Sequence, residues 1–342
     1  MKIPSYKLGV AHFLFLILLC CLASCSDSTS QQAIDKGQSR PEQVVYRLKW
    51  LFNASVIGDI WAKEKGLFKA AGLQVEIKEG GPEQDAIKDL ELGRAHFGVA
   101  SADQVIRAAA KGAPVVVVAQ IFQNNPLQWI YRCNQVNIKS PKDLKNYRIG
   151  VTFGGNDEAI LLAIFSKYHL DPQKVDLYAV TYDFTPFWKG HVQLWPVYRN
   201  TQGILLSYKM ARIGEKACFL DPAQYGIKFV ANSVVTSKKI YDHNPELVEK
   251  FVKVLLKAWS AALAEDNLAK AVALLKKYDP QLPEHLLKKQ ILATKALILP
   301  KGIDRPGTID ISAWKQTEQI MLDQQLIDQP VHIERLLRPP PP

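Results

Sequence analysis

His96-Phe97-Gly98-Val99-Ala100-Ser101-Ala102-Asp103-Gln104 is the stretch on which the fold turns. Small and apolar residues from His96 to Ala100 suit a short strand. The next four make a capping box, with Ser101 at the N-cap and Gln104 three positions on. The spacing predicts a helix running to Lys111 and stopped by Gly112. Val115 to Ile121 is then an unbroken apolar run, the composition of a strand covered on both faces. Strand, helix and buried strand in so short a span make a βαβ unit, and hence a largely parallel sheet.

The alternation extends both ways. Upstream, Val44 to Trp50 alternates as a strand, and Ser55 opens a helical pattern (Val56, Ile57, Ile60, Trp61) closed at Gly66. Leu73 to Ile77 reads as a strand and Glu83 to Leu92 as a helix. Downstream, strands are predicted at Leu127–Cys133, Tyr147–Val151 and Val175–Val180, with a long apolar one at Ile227–Val235. Helices are predicted after Ser140, with Pro141 at the first position, from the Phe153–Glu158 turn to near His169, and over Gly203–Arg212. The rest is helical (Pro245–Leu263, Leu268–Tyr278, Pro283–Ala296, Ile311–Leu322) before four terminal prolines. Two α/β blocks and a helical return predict two lobes around a cleft. The chain should cross near Leu127–Tyr131 and return near Ala223–Val230.

With 342 residues, 48% hydrophobic and 22% charged, the composition excludes collagen, a coiled coil and wholesale disorder. The formal charge of +10 is spread along the chain without a block of five like charges, so it reads as a solvated basic surface and not as a nucleic-acid face. Lys2 and Lys7 precede an apolar stretch from Leu8 to Leu22, the pattern of a secretory signal too short to be a permanent membrane span. Its end, Leu22-Ala23-Ser24-Cys25, resembles the bacterial lipobox, in which the cysteine is acylated and becomes the mature N-terminus. The alternative is cleavage near Ala23 that leaves Cys25 a free thiol. Polar residues from Ser26 to Glu42 read as a tether.

Cys20 and Cys21 leave with the signal, so Cys133 and Cys218 remain. They could pair in an oxidising compartment, although two cysteines in apolar strands more often behave as small buried hydrophobes. The seven histidines are scattered without metal-ligand spacing, so neither a metal nor a cofactor is expected.

Several pieces line up, in order, with a known family. Leu48-Lys49-Trp50, Gly58, Ala62 to Phe68 and Ala71 to Val75 open the match. Gly93 to Ala100, Ala110 to Val115, Ile138 to Lys145 with Arg148-Ile149-Gly150, and Asn244 to Val248 continue it. From about Val44 to Leu275 the chain resembles the thiamine-pyrimidine-synthase-like and sulfonate-binding-like group, type II periplasmic binding proteins of ABC importers. The resemblance implies two α/β lobes that close on a ligand by hinge motion. It also implies a lipid-anchored monomer in the cell envelope, partnered by an ABC permease and its ATPase. Gly154 to Glu158 and Pro196 to Asn200 resemble the branch that binds thiamine precursors or flavins, whereas Gly190 to Trp195 departs from the usual Gly-x-Val-Asp-Ala. An aliphatic sulfonate, nitrate or taurine receptor is the alternative, and a lipoprotein serving adhesion or sensing is a third reading. Fungal relatives are suicide enzymes with a Schiff-base lysine and a donor histidine. Those positions read Ala100 and Gln104 here, and Tyr225–Val235 holds no cysteine, so catalysis is not expected.

The organisation expected is a signal peptide over 1–24, a tether over 25–43, lobe I over 44–126 and 231–335, lobe II over 127–230, and a Pro-rich tail over 336–342. Gly154 and Gly155 would let backbone N–H groups approach a ligand at a helix N-terminus. Six aromatics (Tyr182, Phe184, Phe187, Trp188, Trp195, Tyr198) lie between Tyr182 and Tyr198, where the 9% average would place about 1.5. Such walls suit a flat conjugated ring. Trp50 and Asn53 would face them, with Ser101 and Asp103 heading the opposite helix and Asn156, Glu158 and Asn200 as hydrogen-bonding partners. Trp195→Ala is expected to weaken binding at little cost in stability.

Overall fold

A computed structural model describes residues 41–81 and 83–339. The predicted signal peptide, the acylated Cys25, the tether up to residue 40 and the last three prolines lie outside the described residues. The strands, in chain order, are β1 (Glu42–Arg47), β2 (Leu73–Lys78), β3 (Phe97–Ala100), β4 (Val115–Gln120), β5 (Leu127–Arg132), β6 (Arg148–Val151), β7 (Asp176–Ala179), β8 (Trp195–Tyr198), β9 (Ala217–Leu220) and β10 (Ser233–Ser237). Glu42 and Gln43, expected in the tether, already pair with β2.

One sheet has the order β2-β1-β3-β10-β4, parallel except for β10, which runs antiparallel to both neighbours. In the other, β5 runs antiparallel between β8 and β9, and β6 pairs in parallel with β7. A bridge from Ile149 to Leu194, with Gly150 N–H donating to Leu194 O at 2.8 Å, sets β6 beside the start of β8. The second sheet therefore repeats the plan of the first. Each sheet takes its antiparallel strand from across the boundary: β5 follows directly on β4, and β10 follows β9. The chain crosses twice, through 121–126 and 221–232, close to where the sequence places the crossings.

Local chemistry explains the elements. All six residues of β4 are buried, as the apolar run requires. The helix Pro245–Leu263 covers the first sheet, stacking Phe251 on Phe97 with ring centres 3.9 Å apart. It crosses the helix Ile57–Glu64 closely at Gly58, where a Cβ would land inside the Trp259 ring. Cys133 and Cys218 form a disulfide with 5.2 Å between Cα atoms, tying the residue that follows β5 to β9. The helix Ile311–Asp323 packs on helices of both halves (Ala102–Ala110 and Asn156–Lys167), and its Trp314 Nε1 donates to Gln120 Oε1 at 3.1 Å.

Two expectations are corrected. Of the long strand predicted at Ile227–Val235 only Ser233 onward is strand. Ile227, Phe229 and Val230 are apolar because they form the buried side of the return crossing, with Lys228 exposed between them; there Val230 O accepts from Ala102 N–H at 3.0 Å and Phe229 O from Asn125 Nδ2 at 3.1 Å. The tail predicted from 336 also starts later. Leu336 O accepts from Val117 N–H and Arg338 N–H donates to Val117 O, both at 2.8 Å, so these residues close the edge of β4.

Candidate functional site

The two sheets direct the carboxyl ends of their parallel strands at one another, the place where α/β folds hold ligands. Between them lies a cavity of about 440 Å³. Lys49, Trp50 and Asn53 enter it after β1, Gly81 after β2, and Gln104 from the helix after β3. The opposite wall is the Thr152–Asp157 turn after β6, Val180 to Tyr182 after β7, and β8 with Tyr198. Asn232, on the return crossing, completes it.

Of the residues predicted for the site, Trp50, Asn53, Gly154, Gly155, Asn156, Tyr182, Trp195 and Tyr198 line this cavity. Trp50 and Tyr182 meet at it with ring centres 4.9 Å apart, and the Tyr182 hydroxyl closes on Gly81, where a Cβ would have to displace it. Asn53 presents little free polarity, because Oδ1 accepts from Ser55 N–H at 2.8 Å and Nδ2 donates to Leu51 O at 3.1 Å. Trp195 is only 2% exposed and packs against Phe184 and Phe187, so it is chiefly core, and the expectation that its removal costs little stability is overturned.

Ser101, Asp103, Glu158 and Asn200 do not line the cavity; each is occupied elsewhere. Ser101 is fully buried and holds Gln104 Oε1 through its N–H at 3.1 Å and its hydroxyl at 3.0 Å, so its partner Gln104 faces the cavity instead. Asp103 is also fully buried and pairs with Arg107 at 3.1 Å. Arg107 Nη2 in turn donates to Gly154 O at 2.8 Å from the opposite wall. Glu158 accepts from Gly154 N–H at 2.7 Å, and Gly155 N–H donates to Thr152 O at 2.8 Å. Neither glycine N–H is therefore open to a ligand, contrary to expectation. The left-handed Gly154 (φ +78°) shapes the turn that delivers Asn156. Asn200 pins the two halves together, Nδ2 donating to Ser55 Oγ at 2.9 Å and to Thr294 Oγ1 at 2.8 Å.

Three polar groups in the cavity wall stand without partners. Lys49 Nζ, Asn156 Nδ2 and Asn232 Oδ1 are buried, belong to cavity-lining residues and have no hydrogen-bond partner among the described residues; only Asn156 was foreseen. Asp157, also unforeseen, is buried with Oδ2 accepting from Thr152 N–H at 2.6 Å. Burial pushes its carboxyl up to about 6, against the pull of the Thr152 hydrogen bonds and the nearby Lys49 charge. Lys49 carried one signal: it continues the β1 alternation past Arg47, which has Asp89 as partner at 2.7 Å, and lands where its Nζ forms no ion pair among the described residues although its charge reaches Asp157. Among the described residues, no group of three or more His, Cys, Asp or Glu is placed to hold a metal ion. The arrangement offers a flat apolar body an aromatic wall and polar atoms for its edges.

A family model described as NMT1/THI5 like matches residues 53–269. The riboflavin-binding protein RibY of Chloroflexus aurantiacus is 24% identical, over 98% of this chain and 96% of its own length. The formylaminopyrimidine-binding protein of Halalkalibacterium halodurans is 23% identical, over 93% of this chain and 95% of its own. Among solved structures, the alkanesulfonate-binding protein SsuA of Xanthomonas axonopodis pv. citri, bound to MOPS, superposes with a TM-score of 0.67. It covers 88% of this chain and 99% of its own, at 18% identity. That likeness establishes the periplasmic-binding-protein fold.

Proposed function

The chain belongs to the NMT1/THI5-like family, and from that premise we propose that it is the extracytoplasmic solute-binding component of an ABC importer. It captures a small heteroaromatic compound, of the thiamine-pyrimidine or flavin kind, by closing two lobes over it, without catalysis. The observation that carries this reading is the cavity itself. It lies between the strand ends of two sheets joined by two crossings, walled by Trp50, Tyr182 and Tyr198 and supplied with unpartnered polar atoms. We assign lobe I to 42–126 and 231–338 and lobe II to 127–230, with Cys25 as the acylated anchor, residues up to 41 as the tether and a permease with its ATPase as partners. The Cys133–Cys218 disulfide supports an oxidising compartment.

A ligand that binds only the native state raises the unfolding midpoint by mass action, about 2.7 kcal/mol at a hundred times Kd. Thermal unfolding of the purified full chain tests the reading with the aminomethylpyrimidine, its formyl derivative, thiamine, riboflavin and aliphatic sulfonates. A rise with a ring compound is expected. A rise with sulfonates alone would move the protein to the sulfonate-binding branch.

A further inference from the structure

The cavity carries a cation that no side chain of the protein directly partners. Among the described residues Lys49 Nζ has neither a hydrogen-bond partner nor an ion pair, although it is removed from solvent. A buried ammonium without a partner is strongly unfavourable, so such a group persists where something else completes it. Both acids that line the cavity have oxygens engaged by backbone N–H groups. Asp85 Oδ1 accepts from Ile87 and Lys88, and Asp157 Oδ2 from Thr152. A second orphan stands nearby. Asn156 is 7% exposed, opens the twelve-residue helix Asn156–Lys167, and leaves Nδ2 unpartnered. That helix turns its positive end toward the cavity. Lys49 lies close enough for its charge to act on Asp157, the next residue of that helix. The orphans at this end are thus a cation, an amide donor and a helix N-terminus. The orphan acceptor is Asn232 Oδ1, on a side chain 5% exposed.

We infer that the ring ligand carries an anionic oxygen, as a carboxylate, phosphate ester or sulfonate substituent, and that Lys49 Nζ and Asn156 Nδ2 hold it while Asn232 Oδ1 accepts from a ring N–H. This rests on the heteroaromatic reading above and narrows it. Trp50 and Tyr182 cover the flat body, and Lys49 selects the charged member of any pair of otherwise equal rings. Charged partners take part in the stronger class of hydrogen bond, so the choice between such a pair is large.

Calorimetric titration of the full chain with matched pairs tests this. One pair is 4-amino-2-methylpyrimidine-5-carboxylate against the 5-hydroxymethyl compound; the other is flavin mononucleotide against riboflavin; ethanesulfonate supplies an anion without a ring. In at least one pair the anionic member should bind about 10- to 100-fold tighter than its neutral counterpart, and that pair names the ring. Lys49→Met should bring the ratio to near unity, and Lys49→Arg should keep it. If Lys49→Met does not fold, Asn156→Ala should still lower the ratio several-fold. A neutral member that binds as well as its anion in the unaltered protein overturns the inference and leaves the heteroaromatic reading standing; so does a ratio that survives Lys49→Met. Ethanesulfonate binding as tightly as the ring anions, or no binding of any ring, overturns both.

Discussion

Asp157→Asn is expected to stabilise the unliganded protein at neutral pH and to lose that advantage in acid. Burial holds the folded-state pKa of Asp157 near 6, against an ordinary 3.8. A carboxyl raised in this way binds its proton more tightly in the native state than in the unfolded chain. Native stability is therefore fullest below about pH 4, falls as the pH climbs from there to about 6, and stays at the lower level above. The rise from 3.8 to about 6 corresponds to roughly 3 kcal/mol between those limits. An amide keeps an acceptor for Thr152 N–H, now bound at 2.6 Å, but a neutral acceptor is weaker by about 1 kcal/mol. A net gain of about 2 kcal/mol at pH 7.5 follows, close to zero or slightly negative at pH 4. Urea unfolding of both proteins at the two pH values reads it directly. Asp59, another buried acid, pushed up to about 7, titrates in both proteins and cancels from the difference. Equal differences at pH 4 and pH 7.5, or a variant that fares worse at the higher pH, would refute the reasoning.

Two further perturbations separate wall from pin. Trp195→Ala should cost about 3–5 kcal/mol, lowering the thermal midpoint by roughly 6–10 °C, because a nearly fully buried indole leaves a cavity between Phe184 and Phe187; a drop below about 2 °C would make it a wall residue and not core. Asn200→Ala should lose about 2 kcal/mol in urea unfolding, since it strands the buried Ser55 hydroxyl and removes the donor to Thr294, whose own hydroxyl keeps Gln290 O. The unliganded protein should also expand in small-angle scattering, as the tie between the β1 and β8 sides is cut. Unchanged stability and unchanged scattering would show that Asn200 ties nothing.

Much of the fold is legible because its rules are local. The helices Pro245–Leu263 and Leu268–Tyr278 lie where apolar periodicity and their stops place them. The strand ending at Ala100 and the helix begun by Ser101 follow from the capping box. Reading failed where apolar sequence has a cause other than pairing. Ile227, Phe229 and Val230 look like a strand but are buried because the chain crosses between the halves there, and burial alone does not supply a ladder partner. The short strands β8 and β9 were missed for the opposite reason. Four residues each give no period, and they exist because β5 runs between them from the other side of the boundary.

The site obeys a different logic, and its errors share one cause. Residue type told which side chains could bind a ligand, but not which were already engaged. Ser101, Glu158 and Asn200 have suitable chemistry, and each has a protein partner within 3.0 Å. Even the Gly154 and Gly155 amides, open in principle, are closed by Glu158 and Thr152. What remains available is the set left without partners, and that is a property of the packed molecule. Lys49 stands beside Trp50 in the sequence with nothing to mark it. It becomes conspicuous only when β1 carries it past Arg47, which pairs with Asp89, to a place where its Nζ is buried and pairs with no acid among the described residues. Trp195 shows the complementary error: its ring reaches the cavity because the core it belongs to does, so its contact with a ligand and its share in stability cannot be altered separately. Trp50, partly buried, and Tyr182, exposed, meet at the cavity and are where substitution can weaken binding while sparing the fold.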